Sequence, residues 1–197
     1  MTPEDVRRDR DLAVRAASGE ESAWRTIYEE TSQPLFNFLC YQVGSREEAR
    51  DLLQETYLVA WSNLRLYRGD GALISWLRSI ALRKSLDWKR QVARRMNRLR
   101  ELSRDLRGAT AQPTSDARLE VGMAAFQRAL GQLSSRQRAS LLLRDLEDLS
   151  FREVAREIGC NETTARVHYL RARERMRKAL DPAAQPSLEE GMGGQQV

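Results

Sequence analysis

The sequence predicts an all-α protein of two small helical domains joined by a flexible linker, the C-terminal one a helix-turn-helix. Three observations carry this. Apolar residues recur at three and four positions along most of the 197 residues, and no convincing stretch alternates with the period of two that a strand needs. Three S/T-x-x-E/Q patterns, Ser45 with Glu48, Ser134 with Gln137 and Ser150 with Glu153, place helix starts near 46, 135 and 151. In each, two side chains satisfy backbone N–H groups that have no acceptor inside the helix. Residues 103–118, SRDLRGATAQPTSDAR, are poor in large apolar side chains and hold Gly108, Pro113 and several Ser and Thr, the composition of a linker.

The expected domains are 5–98, a linker over 99–117, a second module over 118–180 and a disordered tail over 181–197, where DPAAQPSLEEGMGGQQV has little to bury. Residues 9–18 and 20–43 read as helical with Gly19 between them, and Pro34 predicts a bend or a fresh first turn. Gly44 ends that segment. From 46 to 64, Ala49, Leu52, Leu53, Thr56, Tyr57, Ala60, Trp61 and Leu64 make one apolar stripe, leaving Glu47, Asp51, Gln54 and Glu55 on another face. Gly69, Asp70 and Gly71 interrupt the pattern before a long basic helix over about 74–100.

In the second module, Val154, Ala155 and Ile158 suit the inner face of one short helix, and Gly159 permits the left-handed turn that ends it. Ala165, Tyr169, Ala172 and Met176 then form the inner stripe of the next. Ala155 and Ala165 are small where two crossing helices must approach closely. The pattern is a helix-turn-helix whose second helix is free to enter a DNA major groove. Its outward face carries Arg166, Val167, Leu170 and Arg171, and residues 162–178 hold six Arg or Lys against two Glu. Arg bonds guanine edges bidentately, each such pair giving about 1–3 kcal/mol of discrimination.

Charge points the same way. Lys plus Arg number 33 against 28 Asp plus Glu, a net +5, which suits a polyanionic partner without proving one. The excess is local: residues 83–107 contain ten Arg or Lys and three acids. Tyr67, Trp76 and Trp88 lie beside this track, and rings next to cations suit unpaired bases, at about 1–3 kcal/mol per stacked base; Trp76 is assigned to the core. Catalysis, a metal and a cofactor are not expected. His168 is the only histidine, Cys40 and Cys160 stand far apart with no CxxC spacing, and no phosphate loop or nucleophile motif occurs. With no long apolar run and no signal peptide, a soluble, cytoplasmic protein without membrane insertion is expected.

Two blocks of sequence resemble a known family. DLLQETYLVAWSNLRLYRGDGALISWLRSIALRKSLDWKR (51–90) is similar to region 2 of bacterial sigma factors, and LSSRQRASLLLRDLEDLSFREVAREIGCNETTARVHYLRARERM (133–176) to region 4. The short connection between them resembles the extracytoplasmic-function (ECF) group. The resemblance implies a non-catalytic promoter-specificity subunit that binds core RNA polymerase through the β′ clamp helices and the β flap. It implies polymerase contacts at Asp51, Gln54 and Glu55. It places minus-10 contacts to the melted strand at Tyr67, Arg68, Asp70, Leu73, Arg78, Arg83 and Lys84, and minus-35 duplex contacts at Thr164, Arg166, Val167, Leu170 and Arg171. An anti-sigma factor is a further implied partner. Two positions depart from the family pattern: Arg83 stands where many relatives have Asn, and Leu73 where Phe is frequent. From the residues alone a conventional dimeric regulator, reading duplex DNA without polymerase, stays open as an alternative.

Overall fold

The computed structural model describes residues 2–102 and 119–181. Eight α-helices and one short 3₁₀ turn are present among them, with no strand. The expected tail and most of the expected linker lie outside the described residues.

Helix α1 (Pro3–Ala17) opens on a capping box that the sequence reading passed over, in which Thr2 and Asp5 bond each other's backbone N–H. Helix α2 (Glu21–Val43) runs unbroken through Pro34, where a bend or a new start was expected. The ring removes an N–H and costs about 3 kcal/mol or more in a helix interior. Ile27 on one side of it and Leu35, Phe38 and Leu39 on the other are all buried in one core, each contributing about 1.5–3 kcal/mol, so packing outweighs the local defect. Gly44 closes α2 in the left-handed region.

Helix α3 (Arg46–Asn63) starts where the Ser45 side chain accepts the Glu48 N–H, and the 3₁₀ turn Leu64–Leu66 extends it. Its expected stripe is buried with one exception. Trp61 is 54% exposed and meets only the edge of Trp24, ring centroids 4.9 Å apart, because the face it occupies has turned past the rim of the core. Helix α4 (Leu73–Leu102) takes its first backbone N–H cap from another helix: Leu73 N–H donates to Asp9 Oδ2 of α1 at 2.7 Å. A carboxylate at a helix N-terminus also meets the positive end of the backbone dipole. The helix continues through residues 99–102 of the expected linker.

The second module comprises α5 (Leu119–Gly131), α6 (Ser135–Asp145), α7 (Phe151–Ile158) and α8 (Glu162–Leu180). Ser134 with Gln137 and Ser150 with Glu153 form full capping boxes at the predicted starts of α6 and α7. Leu130, Leu133, Leu141, Ala172 and Met176 make a small core between α5, α6 and α8, edged by Tyr41 of α2. The main core is shared between the modules. Leu142 and Leu143 of α6, Val154, Ala155 and Ile158 of α7 and Ala165 of α8 belong to the same buried cluster as Leu39, Leu77 and Ala81.

Candidate nucleic-acid interface

The helix-turn-helix is built as its residues require. Gly159 adopts φ 69, ψ 51 and its N–H bonds the Ala155 carbonyl, ending α7. Asn161 then caps α8 by accepting the Thr164 N–H at 2.7 Å. The chain needs only these few residues to change direction, because the Gly159 and Cys160 N–H groups both bond the Ala155 carbonyl while Asn161 caps the next helix. Ala155 and Ala165 are both buried between the helices.

Arg166, Val167, Leu170 and Arg171 all face solvent on α8, and Thr164 is half-buried beside them. Arg166 is held in place: its guanidinium lies 4.6 Å from the Phe151 ring centroid and 3.4 Å from Glu162 Oε1. Phe151 in turn meets Tyr169 edge-on, and the Tyr169 hydroxyl donates to Asp145 Oδ1 at 2.9 Å. These contacts hold the outward face of α8 in place without covering it. His168 lies half-buried on the same helix. Burial, helped by Arg136 and Arg171, holds its pKa below the ordinary value, so it is neutral near pH 7.

The residues expected at the melted strand divide into two sets. Tyr67, Arg68, Asp70 and Arg83, with Trp76, line a groove of about 270 Å³ between the α3–α4 loop and α4. Tyr67 is fixed from below, its hydroxyl donating to the Gly71 carbonyl at 2.6 Å, with its ring tilted against Trp76. Gly69 makes the loop possible: at φ 76 it is left-handed, and a Cβ there would come within 3.3 Å of the Arg10 side chain. Leu73 and Arg78, by contrast, are buried. Leu73 belongs to the core, beside Leu12 and Ile27. Arg78 is 3% exposed and bonds Glu147 Oε2 at 2.7 Å and Glu157 Oε1 at 3.2 Å, both in the second module. Lys84 reaches Glu55 on α3 at 3.0 Å.

Asp51, Gln54 and Glu55 are all exposed on one face of α3. Beside them runs a feature that the sequence reading missed, an open groove of about 710 Å³ lined by Trp24, Tyr28, Phe36, Gln54, Leu58 and Trp61. Leu58 is 69% exposed and Trp61 and Tyr28 are about half so. Exposed aromatic and aliphatic side chains gathered in one place mark a protein-binding surface more often than a solvated one. A signal existed: Leu58 stands on the polar side of the α3 stripe, four residues after Gln54.

The carboxylates that grip Arg78 were also missed. Glu157 is hidden within VAREI, three residues after Val154 and one before Ile158, a position on the apolar face. Burial pushes its carboxyl up to about 7, against the smaller opposing pull of Arg78. Cys40 and Cys160 are free and half-buried, and burial raises both thiols above their ordinary value. Among the described residues no cluster of His, Cys, Asp and Glu could hold a metal ion, and no helix is long and apolar enough to cross a membrane.

The fold is thus an all-helical pair of modules, one with a helix-turn-helix whose outward face is basic and the other with a groove between aromatic and cationic side chains. Comparison with known proteins narrows the class. Residues 27–95 match the model of sigma-70 region 2 and residues 123–176 that of sigma-70 region 4. The chain is 30% identical over 177 residues to the ECF RNA polymerase sigma factor SigC of Mycobacterium tuberculosis, covering 87% of this chain and 90% of that one. To the ECF sigma factor SigX of Bacillus subtilis it is 26% identical, covering 82% and 85%. Among solved structures it is similar to CnrH in complex with the cytosolic domain of CnrY (TM-score 0.66, 24% identity, covering 88% and 97%). It is also similar to the sigma factor RpoE in complex with the anti-sigma factor NepR from Bartonella quintana (TM-score 0.65, 22% identity, covering 80% and 96%). The chain belongs to the ECF family of RNA polymerase sigma factors.

Proposed function

We propose that this sigma factor directs core RNA polymerase to promoters by reading the minus-35 duplex with α8 and trapping the melted minus-10 strand in the Tyr67–Trp76–Arg83 groove. The observation that carries this beyond simple duplex binding is the uncovered aromatic groove beside Asp51, Gln54 and Glu55. Such a groove calls for a protein partner, and docking on the β′ clamp of the polymerase supplies one. Region 4 would meet the β flap in the same assembly.

No bond is made or broken by the chain in this reading. Contacts open only to the unpaired strand shift the duplex equilibrium by their own free energy. Extruding one base costs a few kcal/mol, least where pairing is weak, and stacking returns about 1–3 kcal/mol per base. Joining the two sites on one polymerase raises the effective concentration of each for its own element. The work is cytoplasmic, where core polymerase acts. An anti-sigma factor is the expected partner in the resting cell, supported by the complex of RpoE with the anti-sigma factor NepR.

The test is runoff transcription with purified core polymerase and a promoter library. The reading expects defined start sites only when chain and core are both present. Specific duplex binding by the chain alone, with no RNA made in the presence of core, would favour the dimeric regulator.

A further inference from the structure

The groove between the α3–α4 loop and α4 presents a definite set of hydrogen-bonding groups. The Tyr67 O–H is spent on the Gly71 carbonyl, so the phenol offers its ring, tilted against Trp76, in place of a donor. Ser79, one turn past Trp76 on α4, donates its hydroxyl to the Trp76 carbonyl at 2.7 Å, which leaves its Oγ free only to accept. Most cations nearby are committed. Arg78 is taken by Glu147 and Glu157, Lys84 by Glu55, and Arg156 leans on the Asp70 carbonyl. Arg83, one turn beyond Ser79 on the same face of α4, lines the groove and is exposed. It has no hydrogen bond, ion pair or ring contact among the described residues.

A free guanidinium carries adjacent N–H donors in a rigid planar fork, and a ligand edge with two neighbouring acceptors fills both arms. Guanine has such an edge in O6 and N7, and cytosine in O2 and N3. Adenine sets its amino group between N1 and N7, and thymine sets N3–H between O2 and O4, so either base leaves one arm unpaired. Beside the acceptor pair, guanine carries N1–H and cytosine its 4-amino group. That is the donor which an Oγ able only to accept requires. Asp70, which also lines the groove, adds negative charge that a phosphate would have to meet, so the site suits a base better than the backbone.

We propose that Arg83 sets base identity in this groove, selecting a captured guanine or cytosine over adenine and thymine by donating from both arms of its guanidinium, with Ser79 Oγ accepting from the same base. The rings of Tyr67 and Trp76 take any base by stacking and so carry the affinity, while the two polar side chains on α4 carry the choice. The inference rests on the proposed use of the groove for a base of the melted minus-10 strand. Reading single strands removes the extra cost of opening a G·C pair from the comparison.

The test uses the full chain assembled with core polymerase. The probes are fluorescent DNA single strands carrying the non-template minus-10 sequence of one promoter recovered from the library, with each position set in turn to all four bases. Fluorescence anisotropy should find one position where guanine or cytosine binds about tenfold tighter than adenine and thymine, the scale of one bidentate arginine–base pair. Arg83→Ala should level the four bases at that position. Arg83→Lys should level them too, because it keeps the charge and loses the fork. Where guanine is the base preferred, 7-deazaguanine, which lacks N7, should lose the preference. Absence of any such position overturns the inference. So does an equal loss on all four bases in Arg83→Ala that Arg83→Lys restores, since the side chain then holds a phosphate. Both variants alter an exposed side chain without partners, and the urea midpoint of the free chain checks that the fold is kept. Strand binding and runoff RNA with no base preference would leave the proposed function standing. An assembly that binds no strand and makes no RNA on any template would overturn that function, and this inference with it.

Discussion

Replacing Gly159 isolates the contribution of the turn that makes the helix-turn-helix. The glycine sits at φ 69, and a Cβ built on it meets nothing within 4 Å. Steric collision with neighbours is therefore absent, and the whole cost of an L-residue is conformational. The left-handed region costs such a residue about 1–2 kcal/mol. Gly→Ala also removes chain entropy from the unfolded state, which returns about 0.4–1 kcal/mol. The expected net loss for Gly159→Ala is about 1 kcal/mol, the difference of these two terms. Gly159→Asn should cost less, since Asn enters this region more readily, and Gly159→Val more, since a branched Cβ is a genuine outlier there. Urea unfolding of the full chain, followed by far-UV circular dichroism, gives the order and the sizes. Ala as stable as Gly, or Val no worse than Ala, would refute the argument that backbone conformation alone selects glycine at this turn.

The packing of the two modules should be weakest between pH of about 7 and 8. Glu157, facing Arg78 from α4 and Glu147 from the α6–α7 turn, has its carboxyl raised by burial from 4.5 to about 7. Its contribution to that packing is therefore full below 4.5 and is lost as pH rises to about 7. Lys89, faced by Arg138 of α6, has its ammonium lowered by burial from 10.5 to about 8, so its penalty grows as pH falls towards 8 and disappears above 10.5. The urea midpoint measured across this range should pass through a minimum, and Glu157→Gln should flatten the acid side alone. Glu55→Lys should weaken binding to core polymerase, measured by fluorescence anisotropy, while the fold changes by no more than about 0.2–1 kcal/mol, since the pair with Lys84 is solvent-exposed. Arg171→Ala should cost about 1–3 kcal/mol of discrimination at one base pair. Runoff transcription should fall on templates with an intact minus-35 element and much less on those lacking it.

The helix starts were legible because they are local events. Ser45, Ser134 and Ser150 announce α3, α6 and α7 through partners three residues away, and Gly159 ends α7 through its own backbone. The outward face of α8 could be counted from the 3.6-residue period alone. Trp61 and Pro34 show where that logic stops. Trp61 falls on the apolar stripe by spacing, yet whether a stripe position is covered depends on where the opposing helices end. Pro34 is a breaker by its own chemistry, and only the density of core on both sides of it decides that α2 continues.

The functional surfaces divide along the same line. The sequence by itself determined the all-helical class, the two modules, the crossing turn, the basic outward face of α8 and the polar face of α3, since each depends on residues within a few positions of one another. The tertiary structure decided that Arg78 is buried against Glu147 and Glu157, that Asp9 caps α4, and that Trp24 and Trp61 frame an open groove. These partners are 69 and 79 residues from Arg78, for example, and a free energy of pairing at such separation exists only once the intervening helices have packed and excluded water.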